Sequence, residues 1–300
     1  MHKTKILILG RRGQVGWELR HKLASLGQVT AVGSSELDLS SPDSIRNFVR
    51  ATEPAVIVNA AAYTSVDNAE SDIEPAAAIN GVAPGVLAEE AKRLGSILVH
   101  YSTDYVFDGT KRGSYVESDA PNPMNVYGKT KLAGDLAIEA VGGDYLIMRT
   151  SWVYGSRGNN FLLTMSRLAQ ERSELRIVDD QIGAPTSSDC IAQATADMLV
   201  QVLAQEGRRL DGRSGIYNLT AKGETTWFGF AKALLTQSAD TSGFAIPTLI
   251  PICTGDYPRP ARRPANSRLS CQKLAETFVV TLPHWEHALS SVLETMAAKV

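Results

Sequence analysis

The sequence lacks the features that mark secreted, membrane-spanning or zinc-binding proteins. Its cysteines, Cys190, Cys253 and Cys271, are odd in number and far apart, with no C-x-x-C, so neither a disulfide framework nor a zinc site is expected. No apolar run reaches the roughly 18 residues of a membrane span. The opening MHKTKILILG has too short an apolar stretch for a signal peptide. These absences predict a cytoplasmic protein with reduced thiols.

A strong charge of one sign is also missing. The 300 residues carry a formal net charge of −2, which gives no reason to expect nucleic acid or a membrane as a partner. The hydrophobic content of 44% and the charged content of 21% are ordinary for a soluble globular protein. A chain of this length can bury a large core in one domain or in two.

Short apolar segments alternate with segments of helical composition over the first 150 residues. The helical segments include the Ala-rich stretch 67–94 and NVYGKTKLAGDLAIEAV (125–141). Near-continuous apolar strands are buried on both faces, as in a parallel sheet between two layers of helices. The pattern predicts an α/β protein with a Rossmann-type doubly wound parallel sheet. The candidate strands are KILIL (5–9), VTAVG (29–33), AVIVNA (55–60), ILVHYS (97–102) and YLIMRTS (145–151).

A glycine-rich loop, GRRGQVG, follows the first predicted strand and opens the first helix. Its first glycine allows a sharp turn, the second lets backbone N–H groups approach a pyrophosphate, and the third lets the helix pack against the sheet. A glycine-rich turn that binds nothing is the alternative, and the position after the first strand disfavours it. The predicted cofactor residues here are Gly10, Arg11, Arg12, Gly13, Gln14, Val15 and Gly16.

The end of the second strand indicates which dinucleotide binds. NAD sites usually have an acid there for the ribose 2′-hydroxyl, whereas this strand runs into AVGSSELD. Arg11 and Arg12 could pair with a 2′-phosphate. We therefore expect NADPH to be preferred, with Asp38 as the reason that NADH could still be accepted. Ser34, Asp38 and Leu39 join the predicted cofactor residues.

The third strand is followed by the small residues of VNAAAYTSVDNAES. An Ala run is commonly helix or tight core, but at the C-terminal end of a parallel strand it leaves room for a cofactor to lie flat. The predicted contacts are Ala60, Ala61, Ala62, Tyr63 and Thr64. We expect residues 1–150 to form the NADP(H)-binding domain, with segments around 175–220 returning to it. Residues 151–300, with the Pro-rich GDYPRPARRPANSRL, are expected to form a smaller, mixed α/β and mainly substrate-binding region.

A hydroxyl, a phenol and an amine come in order after these elements. The fourth strand delivers Thr103 and Asp104 to the same edge of the sheet, and Tyr127 and Lys131 share a face of the next helix. A phenol with a pKa of about 10 is a weak acid, and a neighbouring ammonium would lower that pKa. Tyr127 could then donate a proton to a carbonyl oxygen. The alternatives are a half-buried anchor, a solvated lysine and a capping threonine.

With this set of motifs the chain resembles the extended short-chain dehydrogenase/reductases. Six stretches, in order over nearly the whole chain, resemble the dTDP-4-dehydrorhamnose reductase family within them. They are VNAAAYTSVDNAES, HYSTDYVFDG, NVYGKTKLAGD, RTSWVYG, DDQIGAPT and RPARRPANSRL. The resemblance implies NADPH-dependent reduction of the C4 keto group of dTDP-4-dehydro-6-deoxy-L-mannose to dTDP-L-rhamnose, the last step of that synthesis. It implies Thr103, Tyr127 and Lys131 as catalytic residues, with Lys131 also bonding the nicotinamide ribose, and a homodimer.

The same resemblance implies where the substrate binds. Thr103 and Asp104 would contact the sugar and Trp152 would pack beside it, although Trp152 could instead be a core aromatic. Arg263, beside Arg262, and Ser267 would hold the diphosphate, although one of the two arginines could instead be part of a solvated surface. Some family members bind Mg²⁺ through acids at the dimer contact, and Glu18, Asp189 and Glu294 lie in matching stretches. Acids so far apart are mostly surface residues, so we predict no metal site and leave a Mg²⁺ requirement open.

Two other functions fit the same motifs. A different nucleotide-sugar reductase or an epimerase could share them, and an epimerase would return its hydride without net consumption of NADPH. A non-catalytic regulatory subunit, similar to that of methionine adenosyltransferase, would bind NADP and a partner enzyme without turnover. The intact Thr103, Tyr127 and Lys131 set favours an enzyme.

Overall fold

The computed structural model of the chain describes residues 3–204, 209–242 and 245–298. The strands are β1 (Lys5–Leu9), β2 (Gln28–Val32), β3 (Val56–Asn59), β4 (Ile97–Thr103), β5 (Tyr145–Thr150), β6 (Val153–Tyr154), β7 (Glu174–Val178), β8 (Ile182–Gly183), β9 (Thr186–Ser187), β10 (Gly215–Asn218), β11 (Thr225–Thr226) and β12 (Thr248–Ile252). The helices are α1 (Gln14–Lys22), α2 (Pro42–Thr52), α3 (Ile73–Ala77), α4 (Ala83–Leu94), α5 (Val126–Val141), α6 (Phe161–Glu171), α7 (Ser188–Leu203), α8 (Trp227–Ser242), α9 (Gln272–Phe278) and α10 (Trp285–Ala297).

Six of these strands form the central sheet, in the order β10–β5–β4–β3–β1–β2, and every neighbouring pair is parallel. Helices cover both faces. Apolar side chains of α1, α7 and α9 pack on one face, and those of α2, α4 and α5 pack on the other. All seven residues of β4 are buried, as the continuous apolar pattern requires. The predicted α/β class with a doubly wound parallel sheet is confirmed.

The Ala-rich stretch 67–94 is not one helix. It divides into a 3₁₀ turn (Asn68–Glu70), α3, a π-helical turn (Ala78–Val82) and α4. Asn80, in the π turn, bonds the backbone of Tyr63 at both ends: its Oδ1 accepts from Tyr63 N at 2.9 Å and its Nδ2 donates to Tyr63 O at 3.0 Å. The π turn therefore carries an amide that holds the loop after β3.

The second half of the chain builds a separate apolar core around α6, α8 and α10, with Tyr154, Phe230 and Trp285 among its buried aromatics. From the segment around 175–220, β10 pairs with β5 in the central sheet and α7 packs on α1. The strand β7 does not join that sheet but pairs with β12. Residues 205–208 of this segment lie outside the described residues. Within the described ranges, none of the helices is long and apolar enough to cross a membrane.

Candidate active site

The helix α5 begins at the C-terminal edge of the sheet. Asn125 caps it, since its Oδ1 accepts from Gly128 N at 2.7 Å, while its Nδ2 donates to the carbonyl of Arg262 at 2.7 Å. A Cβ on Gly128 would collide with the carbonyl oxygen of Tyr105, so α5 approaches the end of β4 as closely as only glycine permits. The cap and the close approach together place Tyr127, in the first turn, over the end of β4.

Tyr127 and the two residues at the end of β4 form a hydroxyl-rich cluster. The Thr103 hydroxyl lies 3.1 Å from Asp104 Oδ1 and beside the Tyr127 phenol. Its one proton can go to either oxygen, and donation to Tyr127 favours the phenolate. Burial outweighs that bond and raises the pKa of Tyr127. Burial also raises the pKa of Asp104 to about 7, against hydrogen bonds from Ser267 and Thr103. The structure thus brings together four predicted residues: Thr103, Asp104, Tyr127 and Ser267.

Lys131 lies one turn along α5 and is 1% exposed. Its Nζ donates to the carbonyl of Tyr101 at 2.6 Å and lies 3.2 Å from His100 Nε2. Burial lowers the pKa of Lys131 to about 8, with Asp135 opposing the shift. The expected lowering of the pKa of Tyr127 by Lys131 is wrong for this structure. The amine is directed at the backbone of β4, and desolvation governs the phenol.

A buried ion pair between Asp135 of α5 and Arg149 of β5 lies next to this cluster. Asp135 accepts from Ser102 Oγ at 2.8 Å and faces Arg149 Nε at 3.4 Å. Both charged side chains are at most 2% exposed, and the Arg149 guanidinium also lies 5.3 Å from the Phe107 ring centroid. Burial raises the pKa of Asp135, against the pull of Arg149. Because Asp135 is four residues beyond Lys131 on α5, its carboxylate faces the same side of the helix.

The glycine loop has the geometry of a phosphate cradle. Gly10 has φ +88°, and a Cβ on it would stand 2.8 Å from the carbonyl oxygen of Ala60. A Cβ on Gly16 would collide with the carbonyl of Gly10. Gly13 caps the nine-residue α1 without any side-chain hydrogen bond, so the first N–H groups of α1 are left for an anion. The residues present therefore fit a dinucleotide pyrophosphate.

Beyond the loop, a cleft of about 180 Å³ lies between the ends of β1, β2 and β3. Its lining includes these predicted cofactor residues: Gly10, Ser34, Asp38, Leu39, Ala61 and Ala62. Asp38 is not free at its Oδ1, which accepts from Ser40 N at 2.8 Å and from Ser40 Oγ at 2.7 Å. Of the remaining predicted contacts, Val15 packs into the core and Gln14 Oε1 accepts from Asn160. Thr64 is exposed, and the phenol of Tyr63 donates to Asp72.

An acid that the sequence pattern did not single out lies in the turn after β2. Glu36 Oε1 pairs with Arg11 Nη2 at 2.6 Å, and its Oε2 accepts from Gly33 N at 3.0 Å. The Gly33 and Ser35 hydrogen bonds and then the two loop arginines hold the pKa of Glu36 below its usual value. Arg11 is thus already partnered, whereas Arg12 is exposed. The prediction treated both guanidinium groups as free for a 2′-phosphate.

On the substrate side, Trp152 is held in an unusual conformation. Its φ is +48°, and its indole stacks on Trp227 with ring centroids 3.7 Å apart and planes 10° apart. A Cβ on Gly183 would stand 2.6 Å from the indole, so glycine is required there. Trp152 is half-buried between these neighbours. The positive φ of a bulky residue is the kind of backbone strain that collects at ligand sites.

The segment DDQIGAPT links Trp152 to the Pro-rich stretch. Ile182 N donates to the carbonyl of Ala265, and Ser267 N donates to the carbonyl of Ile182, both at 2.8 Å. This places Ser267 next to the residue that precedes Gly183. Arg263, in contrast, makes a two-pronged pair with Asp67 at 3.0 and 2.9 Å. Its guanidinium joins the loop after β3 to the Pro-rich stretch, and the predicted diphosphate role of Arg263 has to compete with that pair.

The three acids weighed as metal ligands do not come together as one group. Glu18 and Asp189 line a cleft beside α10, and Asp189 pairs with Lys22 at 2.9 Å. Glu294 is exposed on α10. Across residues 3–204, 209–242 and 245–298, no group of three or more His, Cys, Asp or Glu is arranged for a metal ion.

Three further residues that the sequence pattern did not single out contribute to the site. His100 contacts Lys131 directly, and Asn59 contacts His100 in turn. Asn125 caps α5. Asn125 could have been found, because an Asn followed by helical periodicity signals an N-cap. His100 and Asn59 could not, since each lies in an apolar strand and nothing local indicates that the two strands are adjacent.

Comparison with known proteins identifies the family. A family model described as "RmlD substrate binding domain" matches residues 4–298. A dTDP-4-dehydrorhamnose reductase of Burkholderia thailandensis is 50% identical over 290 residues, covering 95% of this chain and 96% of the relative. One from Escherichia coli K12 is 43% identical over 297 residues, with 97% of each chain covered.

Solved structures agree. The dTDP-4-dehydrorhamnose reductase of Bacillus anthracis in complex with NADP has a TM-score of 0.88 at 31% identity, covering 98% of this chain and 100% of that chain. A Thermus thermophilus UDP-glucose 4-epimerase has a TM-score of 0.78 at 18% identity over 99% of this chain and 100% of the epimerase, a likeness of fold alone. The resemblance inferred from the motifs is confirmed, and the chain belongs to the RmlD family together with these dTDP-4-dehydrorhamnose reductases.

Proposed function

We propose that this chain reduces the C4 keto group of dTDP-4-dehydro-6-deoxy-L-mannose to the alcohol of dTDP-L-rhamnose with NADPH as reductant. The observation that carries the proposal is the cluster of Thr103, Tyr127 and Lys131 at one edge of a parallel sheet whose first loop fits a dinucleotide. The relatives at 43–50% identity that bear this enzyme name support it.

NADPH, when bound, supplies a hydride to the carbonyl carbon. The chain would hold its pyrophosphate at the amide groups that begin α1 and at the glycine loop. The cleft lined by Ser34, Leu39 and Ala61 would take the adenosine half, with Arg11 and Arg12 next to the 2′-phosphate. We keep the predicted domain boundary near residue 150. The strand β10 and the helix α7 would belong to the cofactor-binding domain, because β10 pairs with β5 and α7 packs on α1.

The proton comes from Tyr127. As the carbonyl carbon accepts the hydride, the phenolic O–H bond breaks and its proton passes to the carbonyl oxygen, leaving an alcohol and a phenolate. The raised pKa of Tyr127 keeps the phenol protonated at neutral pH, as a donor must be. Thr103 would orient the carbonyl oxygen, and Lys131 would hold the ribose beside Tyr127.

The substrate would lie across the end of β4. Asp104 and Ser267 are buried beside Thr103 and would bond the sugar hydroxyls or the nearest phosphate. The half-buried face of Trp152 would pack against the sugar ring, and Arg263 would reach the diphosphate only by sharing its guanidinium with Asp67. We further propose that the enzyme is a cytoplasmic homodimer. It would feed the assembly of rhamnose-containing cell-surface polysaccharide.

The test is oxidation of NADPH, followed by its absorbance, with freshly prepared dTDP-4-keto sugar as substrate. Tyr127→Phe should lower kcat by about 10²- to 10⁴-fold, because the proton donor is lost, while NADPH binding persists. Tyr145→Phe, at the opposite end of β5, is the matched control and should turn over normally. Wild-type turnover by Tyr127→Phe would remove Tyr127 as the acid. Hydride return without net NADPH loss would indicate an epimerase, and NADP binding without turnover would indicate a regulatory subunit.

A further inference from the structure

A chain of buried polar groups runs from β3 through β4 to the catalytic helix. Asn59 Nδ2 lies 3.0 Å from His100 Nδ1, and His100 Nε2 lies 3.2 Å from Lys131 Nζ. All three side chains are 1% exposed, so bulk water does not reach them and they bond one another. Each contact therefore needs one donor and one acceptor, and the protons can be assigned one after another.

The amide of Asn59 sets the first assignment. Its Oδ1 accepts from the backbone N–H of Ala61 at 3.2 Å, an interaction that only the oxygen can make. The Nδ2 must then face His100, and an amide nitrogen can only donate. His100 Nδ1 is therefore the acceptor. Exchanging the two amide atoms would set two N–H donors against each other at Ala61.

The ring of His100 sets the second assignment. Burial holds the pKa of His100 well below its ordinary value, so the ring is neutral and carries one proton. Since Nδ1 is the acceptor, that proton is on Nε2 and points at Lys131 Nζ. An ammonium has no lone pair to receive it, whereas a neutral amine does. The amine can still donate to the carbonyl of Tyr101 at 2.6 Å.

We propose that His100, fixed by Asn59 as the tautomer with its proton on Nε2, is a positioning residue that weakens the hold of Lys131 on its own proton. The proposal rests on the proposed function, in which Lys131 serves Tyr127. An amine that exchanges its proton near neutral pH is suited to reprotonating the Tyr127 phenolate after each turnover. The chain ends at Ala61 N, so this protonation is tied to the loop that would carry the cofactor.

The effect of His100 has to be separated from that of the other groups on the elements around Lys131. On α5, Asp135 attracts the ammonium and Tyr127 is neutral until it gives up its proton, while from β5 Arg149 neutralises much of Asp135. Asp104 follows β4 and acts electrostatically on Tyr127. The neighbours on β3 and the π turn, Asn59 and Asn80, are uncharged. Of these groups, Asp135 opposes the effect of His100 on Lys131. Asp135 is unchanged in every variant below, so a shift of the alkaline limb of the kcat profile reports the change of tautomer.

The experiment changes the tautomer with one atom. In Asn59→Asp a carboxylate replaces the amide, accepts from both Ala61 N and His100 Nδ1, and so moves the ring proton to Nδ1. His100 Nε2 then accepts from the ammonium of Lys131, and the alkaline limb of the kcat profile should move up by about one pH unit. His100→Phe and the Asn59→Asp/His100→Phe double variant complete the cycle and measure the bare effect of the added charge.

Most of the shift of the alkaline limb should disappear in the double variant. If it is retained there in full, the new charge alone acts on Lys131 and the proposal fails. A second readout needs no turnover: ¹⁵N NMR of histidine-labelled protein, with His100→Phe to assign the signal, should show the wild-type proton on Nε2. A proton on Nδ1 in the wild type would also overturn the proposal. Because the NMR result is independent of activity, it stands apart from a failure of the proposed reaction.

Discussion

The two ends of the candidate site are built by opposite means. At the ends of β1 and β3, the site depends on small residues. Gly10 and Gly16 have no room for a Cβ. Ala60, Ala61 and Ala62 carry only a methyl group at the end of β3. At the ends of β4 and β5 it depends on buried polar groups such as Asp104 and Lys131. The first end should respond to added volume and little to pH, and the second to charge and little to volume.

The largest effect is expected at the polar end. Burial raises the pKa of Asp104 to about 7, whereas in the unfolded chain this carboxyl releases its proton near its ordinary pKa of 3.8. Between these values the folded state binds more protons than the unfolded state, so the contribution is full below the lower value and is lost as pH rises toward 7. From pH 5 to pH 7, the free energy of unfolding should fall by about 2–3 kcal/mol because of Asp104.

Asp104→Asn should remove that part of the pH dependence, measured by urea unfolding at pH 5, 6 and 7. Asp43→Asn is the matched control, because the Asp43 side chain on α2 is 90% exposed and cannot be desolvated. Equal slopes for wild type and Asp104→Asn would show that Asp104 is ionised in the folded protein, and the distinction between the two ends would lose its main support.

The next effect tests the end of the site that depends on small residues, the glycine loop. In Gly16→Ala the new methyl would collide with the carbonyl of Gly10, and backbone cannot yield as a side chain can. We expect a loss of about 1–3 kcal/mol of unfolding free energy. NADPH binding, measured by calorimetry, should weaken by about 10-fold or more as the cradle opens. Gly255→Ala is the control, because a Cβ there meets open space. A Gly16→Ala protein with unchanged affinity would mean that the loop does not hold the pyrophosphate.

The same contrast explains what the sequence could reveal. Small residues at a strand end form a local pattern, so the glycine loop and the strands near 5–9, 55–60 and 97–102 were all predicted within about two residues of their positions. The sheet class followed from continuous apolar runs. The strand β12 and the helix α9 were not predicted, because a five-residue stretch containing Pro251 and a seven-residue helix carry too little periodicity.

The polar end depends on pairs that are distant in sequence. His100 and Asn59 lie in different strands, and Arg263 meets Asp67 from nearly the other end of the chain. Residue type and spacing were enough to single out Tyr127 and Lys131 as candidates, but the electrostatics of both groups depend on burial that no local pattern reports. The sequence could therefore indicate which groups are present, and only the packed structure shows which of them are desolvated.

The smallest effect is expected beside the glycine loop, in the partly exposed pair of Glu36 and Arg11. Their side chains are 35% and 30% exposed, and the carboxylate would compete with a 2′-phosphate for the same guanidinium. Glu36→Gln keeps an acceptor for Gly33 N but frees Arg11. Since exposed ion pairs contribute little, the ratio of kcat/KM for NADPH over NADH should rise only about 1.5- to 5-fold, and less at high salt.

Glu171→Gln, which breaks the exposed pair with Arg167 on α6, is the matched control and should leave the ratio unchanged. A fall in the ratio for Glu36→Gln would reverse the reading of this pair. Glu36 would then hold Arg11 in position for the phosphate, and a charged side chain would shape the glycine end much as buried charges shape the other. A rise keeps the distinction: the glycine end is shaped by backbone, and Glu36 only limits how strongly its arginine favours the phosphorylated cofactor.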